Sequence, residues 1–171
     1  ALFNNTTASN NTAVGTSSLF QNTTGASNTA IGTGALDANS TGSNNVSVGY
    51  ESLTACTTGT GNVCMGYRAG PYLTIGGNNT ALGPVAMGNG TVTGNLNTAV
   101  GYAALYSLTS GSSNLAIGQD AGRSGSPGGQ VTTGNNKIFI GDENMTAAHI
   151  QIDWTVASDA RDKTDFTALD L

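Results

Sequence analysis

Two cysteines, one histidine and a pair of adjacent carboxylates are the residues with which this chain could do chemistry. Cys56 and Cys64 lie eight residues apart, and we interpret both as replacements for alanine in a repeat, with a disulfide as the alternative. His149 is the only histidine and has no cysteine or histidine at a ligand spacing. Asp142 and Glu143 lack the further oxygen ligands that calcium takes. We therefore expect no metal site, no cofactor and no catalytic group of residues here.

The composition argues against nucleic acid and membranes as partners. The chain has 171 residues, of which 9% are charged and 6% aromatic, and its net charge is −5. Up to Gln119 the only charged residues are Asp37, Glu51 and Arg68. Such a neutral surface offers no attraction for phosphate backbones or anionic lipids. No apolar run approaches the roughly 20 residues that span a bilayer, so we expect no membrane insertion.

Glycine recurs with a period close to 17 residues, which is typical of a solenoid. We call these residues the ladder glycines: Gly15, Gly32, Gly49, Gly66, Gly83, Gly101 and Gly118, followed after 23 residues by Gly141. From Gly32 onward, a glycine of a second series stands seven residues before each ladder glycine: Gly25, Gly42, Gly59, Gly76, Gly94, Gly111 and Gly134. Each coil thus has two corners where glycine supplies unusual backbone angles. Because Ala1 and Leu2 lie 17 residues before Ser18 and Leu19, we expect the array to continue upstream.

A short strand is predicted before each ladder glycine. The residue directly before it is large and apolar, and we predict that it points into the core: Val14, Ile31, Val48, Met65, Leu82, Val100, Ile117 and Ile140. The residue two places before the glycine is small, and we predict that this face contacts identical chains through Ala13, Ala30, Ala81, Ala99 and Ala116. Alanine and leucine at the third and fourth places after the glycine predict a second inward stripe.

Asparagine stands four residues before almost every ladder glycine. Side-chain amides stacked at about 4.8 Å can hydrogen-bond from coil to coil. The predicted ladder comprises Asn11, Asn28, Asn45, Asn62, Asn79, Asn97 and Asn114.

These patterns predict an all-β fold, a parallel β-roll or β-solenoid with coils of about 17 residues. Two or three aliphatic residues per coil bury little area, so a single chain has a small core. We expect identical chains to assemble side by side with closed cyclic symmetry.

The pattern Asn-Thr-Ala-Val-Gly followed by Ala-Leu resembles the repeats of trimeric viral tail fibres. It is more distantly similar to the left-handed β-roll heads of trimeric autotransporter adhesins. The resemblance covers Ala1 to Gly118 and implies a homotrimer.

The C-terminal part resembles the junction with the intramolecular chaperone of endosialidase-type phage fibres. The segments 137–142 and 149–153 look like the last strands before that chaperone, and 158–163 is similar to its Ser-Asp-x-Arg-x-Lys opening. The resemblance implies an autocleavage dyad of Ser158 and Lys163, in which a lysine with a lowered pKa serves as the base. Residues 158–171 are only the start of such a domain, and Asp162 stands where many relatives carry an apolar residue. We therefore expect no cleavage by this chain.

We accordingly divide the chain into a repeat array (1–122), a loop with terminal strands that cap it (123–157) and the stub of a chaperone (158–171). The expected function is that of a structural and adhesive segment of a trimeric tail fibre on a virion, which attaches to host surface polysaccharide. The alternatives are the head of a trimeric autotransporter adhesin on a bacterial cell surface and an ice-binding solenoid, which needs regular threonine arrays.

Overall fold

The computed structural model describes residues 1–126 and 128–146, which form one parallel β-solenoid as the sequence predicts. Eight strands of three residues follow one another in a single sheet: β1 (Thr12–Val14), β2 (Thr29–Ile31), β3 (Val46–Val48), β4 (Val63–Met65), β5 (Thr80–Leu82), β6 (Thr98–Val100), β7 (Leu115–Ile117) and β8 (Ile138–Ile140). We call each strand with its coil a rung. The predicted strand at 149–153 and the chaperone stub at 158–171 lie outside the described residues.

Neighbouring rungs stay in register even where the period changes. Thr80 pairs with Thr98 across the 18-residue step, and Leu115 pairs with Ile138 across the 23-residue step. Extra residues are therefore accommodated in the turns. The longer insertion leaves the coil after Gly122 and returns at Val131, whose N–H donates to the Gly122 carbonyl at 2.9 Å. The sheet thus continues through β8, past the boundary predicted at residue 122.

The prediction of which strand residues face inward is wrong. The small residues in the middle of the strands are the buried ones: Ala30, Ser47, Cys64, Ala81, Ala99 and Ala116 are fully buried, Phe139 is 5% exposed and Ala13 is half-buried. The eight large residues predicted as core, from Val14 to Ile140, point outward instead. The alanines predicted as an interface between chains are therefore part of each chain's own interior.

The physical reason for this arrangement is the thinness of the coil. The strand faces the segment three and four residues after the ladder glycine across a narrow gap, as Ser47 Oγ shows by donating to the Ser52 carbonyl at 2.7 Å. Where the inward strand residue is larger than alanine or serine, the residue that faces it across the coil is glycine. A Cβ on Gly70 would come within 2.8 Å of Cys64 Sγ, and one on Gly122 would lie 3.6 Å from the Phe139 ring. Valine and isoleucine therefore occupy the outer positions.

The predicted inward stripe of small residues and leucines is present, and it has an unexpected backbone. Leu19, Leu36, Leu53 and Leu105 are fully buried, with φ values of 48°, 53°, 51° and 50°. This left-handed conformation is disfavoured for residues with a Cβ. We infer that the burial of leucine offsets the strain, since the turn then places the side chain inside.

A second inner column lies seven places after the ladder glycines in the regular coils. We call it the corner column: Asn5, Asn22, Asn39, Cys56, Leu73, Val92, Leu108 and Val131. All but Asn5 are buried. The sequence pattern did not reveal this column, because its members change from amides to aliphatic residues along the chain.

Candidate functional site

A row of large apolar residues lies on the outer face of the strands, directly before the ladder glycines. We call it the aliphatic strip: Val14, Ile31, Val48, Met65, Leu82, Val100, Ile117 and Ile140. Five of its members are between 40% and 57% exposed, and Val48, Leu82 and Val100 are half-buried. Eight rungs at about 4.8 Å give a strip roughly 34 Å long. A continuous exposed apolar row is a candidate interaction surface.

The asparagine ladder holds the start of each strand and thereby fixes the strip. Asn45 illustrates the pattern: its Nδ2 donates to the Gly59 carbonyl at 2.8 Å and to Asn28 Oδ1 at 3.1 Å. Its backbone N–H also donates to Asn28 Oδ1, at 3.0 Å. From Asn28 to Asn114 these amides are buried, and each accepts from the next rung. Asn11 begins the ladder by accepting from the Asn28 N–H. These hydrogen bonds join the start of each strand to the next rung and so fix the register of the outer face.

Close packing of glycine allows the rungs to stack this tightly. A Cβ on Gly25 would collide with the carbonyl oxygen of Gly42, and one on Gly32 would collide with that of Gly49. The ladder glycines also adopt positive φ, 135° at Gly32. Both series of glycines are therefore needed for close approach of the backbone. Of the two series, only the ladder glycines supply positive φ, so the prediction of unusual backbone angles at the second series, such as Gly25 and Gly42, is wrong.

Aromatic and charged groups gather beyond the ladder glycines, at one edge of the strip. The rings of Tyr50 and Tyr67 stack with their centroids 5.7 Å apart and an interplanar angle of 9°. Next to them, Arg68 Nε lies 3.4 Å from Glu51 Oε2, and Arg68 Nη2 donates to the Tyr72 hydroxyl at 3.1 Å. The Glu51 carboxylate raises the pKa of Tyr50, first through a hydrogen bond and then through its charge.

A polar cleft of about 280 Å³ lies between the inserted loop and the segment after β8. Its lining includes Gln119, Asp120, Arg123, Asp142 and Asn144. Arg123 Nη1 and Asp120 Oδ1 form an ion pair at 2.7 Å, so the guanidinium is already neutralised. The pKa of Asp142 is lowered by hydrogen bonds from the side chain and backbone of Asn144.

The two cysteines are free thiols inside the coil. Cys64 occupies the strand position that alanine holds in other rungs, as interpreted from the sequence. Cys56 instead stands in the corner column between Asn39 and Leu73, so its interpretation as a replaced alanine is wrong. Burial raises the pKa of Cys56 to about 11 and raises that of Cys64 further. Neither thiol is therefore ionised at neutral pH. Asp142 and Glu143 lie beside the cleft, and among residues 1–126 and 128–146 no group of three or more potential ligands could hold a metal ion.

Ser158, Lys163 and His149 lie outside the described residues, so the dyad implied by resemblance stays a prediction. The described part of the chain contains no helix with the length and hydropathy needed to cross a membrane. No protein-family model, curated protein or solved structure matches the chain.

Proposed function

We propose that the chain is a structural and adhesive segment of a homotrimeric viral tail fibre, which contributes to attachment on host surface glycans. The aliphatic strip carries the proposal, because it runs through all eight rungs of the described array without a polar residue. The resemblance of the Asn-Thr-Ala-Val-Gly repeats to trimeric tail fibres supplies the number of chains.

The strip fits a second copy of the same chain better than an unrelated partner. Identical rungs have the same spacing, so aliphatic side chains on parallel copies meet at every level. The strip carries no charge, so burying it desolvates no ionised group. Closed cyclic symmetry lets each copy use the same surface and leaves no unpaired strip at the end. Three copies would surround one axis with their strips turned inward.

Such an assembly also provides the hydrophobic burial that one thin coil lacks. Each strip residue is a valine, isoleucine, leucine or methionine, and its burial contributes at about 25 cal/mol per Å². The groups at the edge of the strip, around Tyr50 and Arg68, would remain on the outside of the trimer, once in each chain. Attachment to a repetitive polysaccharide would then gain avidity from symmetry without any new contact.

The mass of the native particle tests the assembly, and size-exclusion chromatography with light scattering measures it. We expect three copies for the unchanged chain. Val100→Asp places a carboxylate within the strip and should yield monomers with an unchanged circular dichroism spectrum. Thr58→Asp, on an exposed turn, is the matched control and should remain trimeric. A folded monomer for the unchanged chain would overturn the proposal.

Attachment is tested separately by applying the assembled protein to an array of bacterial surface polysaccharides. Absence of binding would remove the adhesive role and leave the structural one. The head of a bacterial trimeric adhesin is the alternative setting for the same fold. The gene distinguishes the two, since a phage fibre would encode a full chaperone after Leu171 and an adhesin would encode a stalk with its membrane anchor.

A further inference from the structure

The column that follows the ladder glycines by one residue carries tyrosine on three rungs and is interrupted once. Tyr50 and Tyr67 stand on consecutive rungs, Pro84 follows on the next and Tyr102 on the one after. The pairing of Met65 with Leu82 and of Leu82 with Val100 places these residues in one line. The interruption is therefore a gap of one ring in a row of aromatic side chains.

The dimensions of this gap follow from the spacing of the rungs. On consecutive rungs the rings of Tyr50 and Tyr67 are in contact, with a centroid distance of 5.7 Å. Tyr67 and Tyr102 are two rungs apart, which corresponds to about 10 Å. That distance leaves room for one flat ring between them, above Pro84, which is exposed. Tyr67 and Tyr102 are 54% and 51% exposed.

We propose that this gap, the tyrosine slot formed by Tyr67, Pro84 and Tyr102, binds one pyranose ring of a neutral saccharide. The inference rests on the proposed role in glycan attachment and names the site for it. The face of a tyrosine ring is electronegative and attracts the C–H groups on the apolar face of a sugar. A sugar between two such rings keeps its hydroxyl groups at the rim, where they can contact polar side chains or water.

The charges near the slot favour a neutral ligand. Glu51 and Arg68 form an ion pair on the Tyr67 side, and Asp120 and Arg123 form another on the rung after Tyr102. Their charges cancel, so an anionic sugar or a phosphate gains no net attraction. The Arg68 guanidinium is engaged by Glu51 on the rung of Tyr50 and by the Tyr72 hydroxyl, so it presents no free charge at the gap. A second copy of the chain is disfavoured here, because its approach would desolvate these ion pairs.

The slot is held in place by the backbone before any ligand arrives. Arg68 N–H donates to the Tyr50 carbonyl at 2.9 Å, Val85 N–H to the Tyr67 carbonyl at 3.0 Å and Ala103 N–H to the Pro84 carbonyl at 3.1 Å. These bonds tie each member of the column to the following rung. Binding therefore orders little of the protein, which favours affinity for a small ligand.

Filling the gap with a ring from the protein itself tests the proposal. Pro84→Tyr gives this rung the residue that its neighbours carry and should complete the stack from Tyr50 to Tyr102. Thr33→Tyr is the matched control, because it adds a ring on the other side of Tyr50 and leaves the slot open. Tyr67→Ala removes one wall. Binding of linear oligosaccharides of glucose, mannose and galactose to the assembled protein is measured by calorimetry and saturation-transfer NMR.

We expect one of these sugars to bind, with about tenfold weaker binding for Pro84→Tyr and Tyr67→Ala and unchanged binding for Thr33→Tyr. Equal binding by Pro84→Tyr and the unchanged chain would overturn the slot, as would absence of sugar binding. Adenosine serves as a flat aromatic probe, and binding of adenosine in preference to sugars would overturn the ligand class. Light scattering on the same samples separates the two proposals: three copies without sugar binding reject the slot alone, and monomers that bind sugar reject the trimer alone.

Discussion

The corner column has a polar part and an apolar part inside the same coil. In the first rungs Asn22 Nδ2 donates to Asn5 Oδ1 at 2.9 Å, and Asn39 Nδ2 donates to Asn22 Oδ1 at 2.7 Å. From Leu73 to Val131 the same position is aliphatic and buried. The backbone continues in register through both parts. The coil therefore accepts either hydrogen-bonded amides or apolar packing at this corner, provided that neighbouring rungs agree.

The two parts meet at Cys56, and the mismatch is visible there. Each asparagine of the column donates to the carbonyl three residues later, which belongs to Ala8, Gly25 or Gly42, and Cys56 Sγ keeps this contact with Gly59 at 3.7 Å. A thiol has no second donor, so Asn39 Oδ1 is buried without a hydrogen-bond partner. We call this boundary, between Asn39 and Leu73, the seam. The cost of a buried polar atom without a partner falls at the seam, while the side chains within each part satisfy one another.

Placing an amide in the apolar part should have the largest effect. Leu73→Asn removes a fully buried leucine between Cys56 and Val92 and leaves an amide with too few partners. We expect a loss of about 3 kcal/mol or more in the free energy of unfolding, measured with guanidinium chloride. Leu96→Asn is the control, because Leu96 is 59% exposed with φ 58°, which asparagine tolerates. A loss below about 1 kcal/mol for Leu73→Asn would show that the apolar part is not selective.

Removing an amide from the polar part should have the next largest effect. Asn22→Leu eliminates the donors to Asn5 Oδ1 and to the Gly25 carbonyl, and it leaves Asn39 Nδ2 with one acceptor fewer. We expect a loss of about 2–3 kcal/mol, since the size of the side chain is nearly kept. Gln21→Leu, on the exposed neighbour, should change stability by less than about 0.5 kcal/mol. Stabilisation by Asn22→Leu would contradict the role of the amides.

The thiol at the seam predicts a pH dependence. The pKa of Cys56 is raised by burial from 9.0 to about 11, so the unfolded chain loses this proton first as pH rises. The contribution of Cys56 to stability is therefore complete below pH 9 and falls between pH 9 and about 11, by roughly 2 kcal/mol. The Cys64 thiol, whose pKa burial raises further, adds a loss in the same direction. Thermal unfolding across this window measures the slope. A variant with Cys56→Ala and Cys64→Ala should show a flatter profile, and an identical slope would assign the effect to other groups.

Moving the seam should have the smallest effect. Cys56→Asn supplies a donor for Asn39 Oδ1, but the new amide oxygen then faces Leu73. We expect a change of less than about 1 kcal/mol in the free energy of unfolding. Combined with Leu73→Asn, it should recover about 1 kcal/mol or more of the loss caused by that substitution alone. Simple additivity of the two substitutions would show that the column does not act rung by rung.

The sequence predicts the parts of this fold that depend on repetition. The spacing of Gly32 and Gly49 predicts the corners, and the recurrence of Asn28 and Asn45 predicts a hydrogen-bonded ladder that only stacked coils can form. Parallel strands follow from the same period. The period alone predicts these features, because each depends on the recurrence of one residue type at a fixed spacing.

The direction of the strand side chains could not be predicted by the rule that large apolar residues are buried. In a strand of three residues, Ala30 points to one face and Thr29 and Ile31 point to the other. The alternation is the same whichever face is buried, so the pattern does not identify the buried face. The deciding quantity is the width of the coil interior, which the structure gives through contacts such as Ser47 with Ser52. The pairing of Cys64 with Gly70 was the available signal, since a larger strand residue coincides with a missing side chain opposite.

The register between rungs has a consequence for how the length of this molecule can change. Each strand pairs only with its neighbours. Duplication of a whole 17-residue unit within the apolar part of the corner column would therefore lengthen the rod by about 4.8 Å and leave its cross-section unaltered. A duplication that spans Cys56 would instead create a second boundary between unlike corners. Growth and shortening by whole units are therefore least disruptive away from that level.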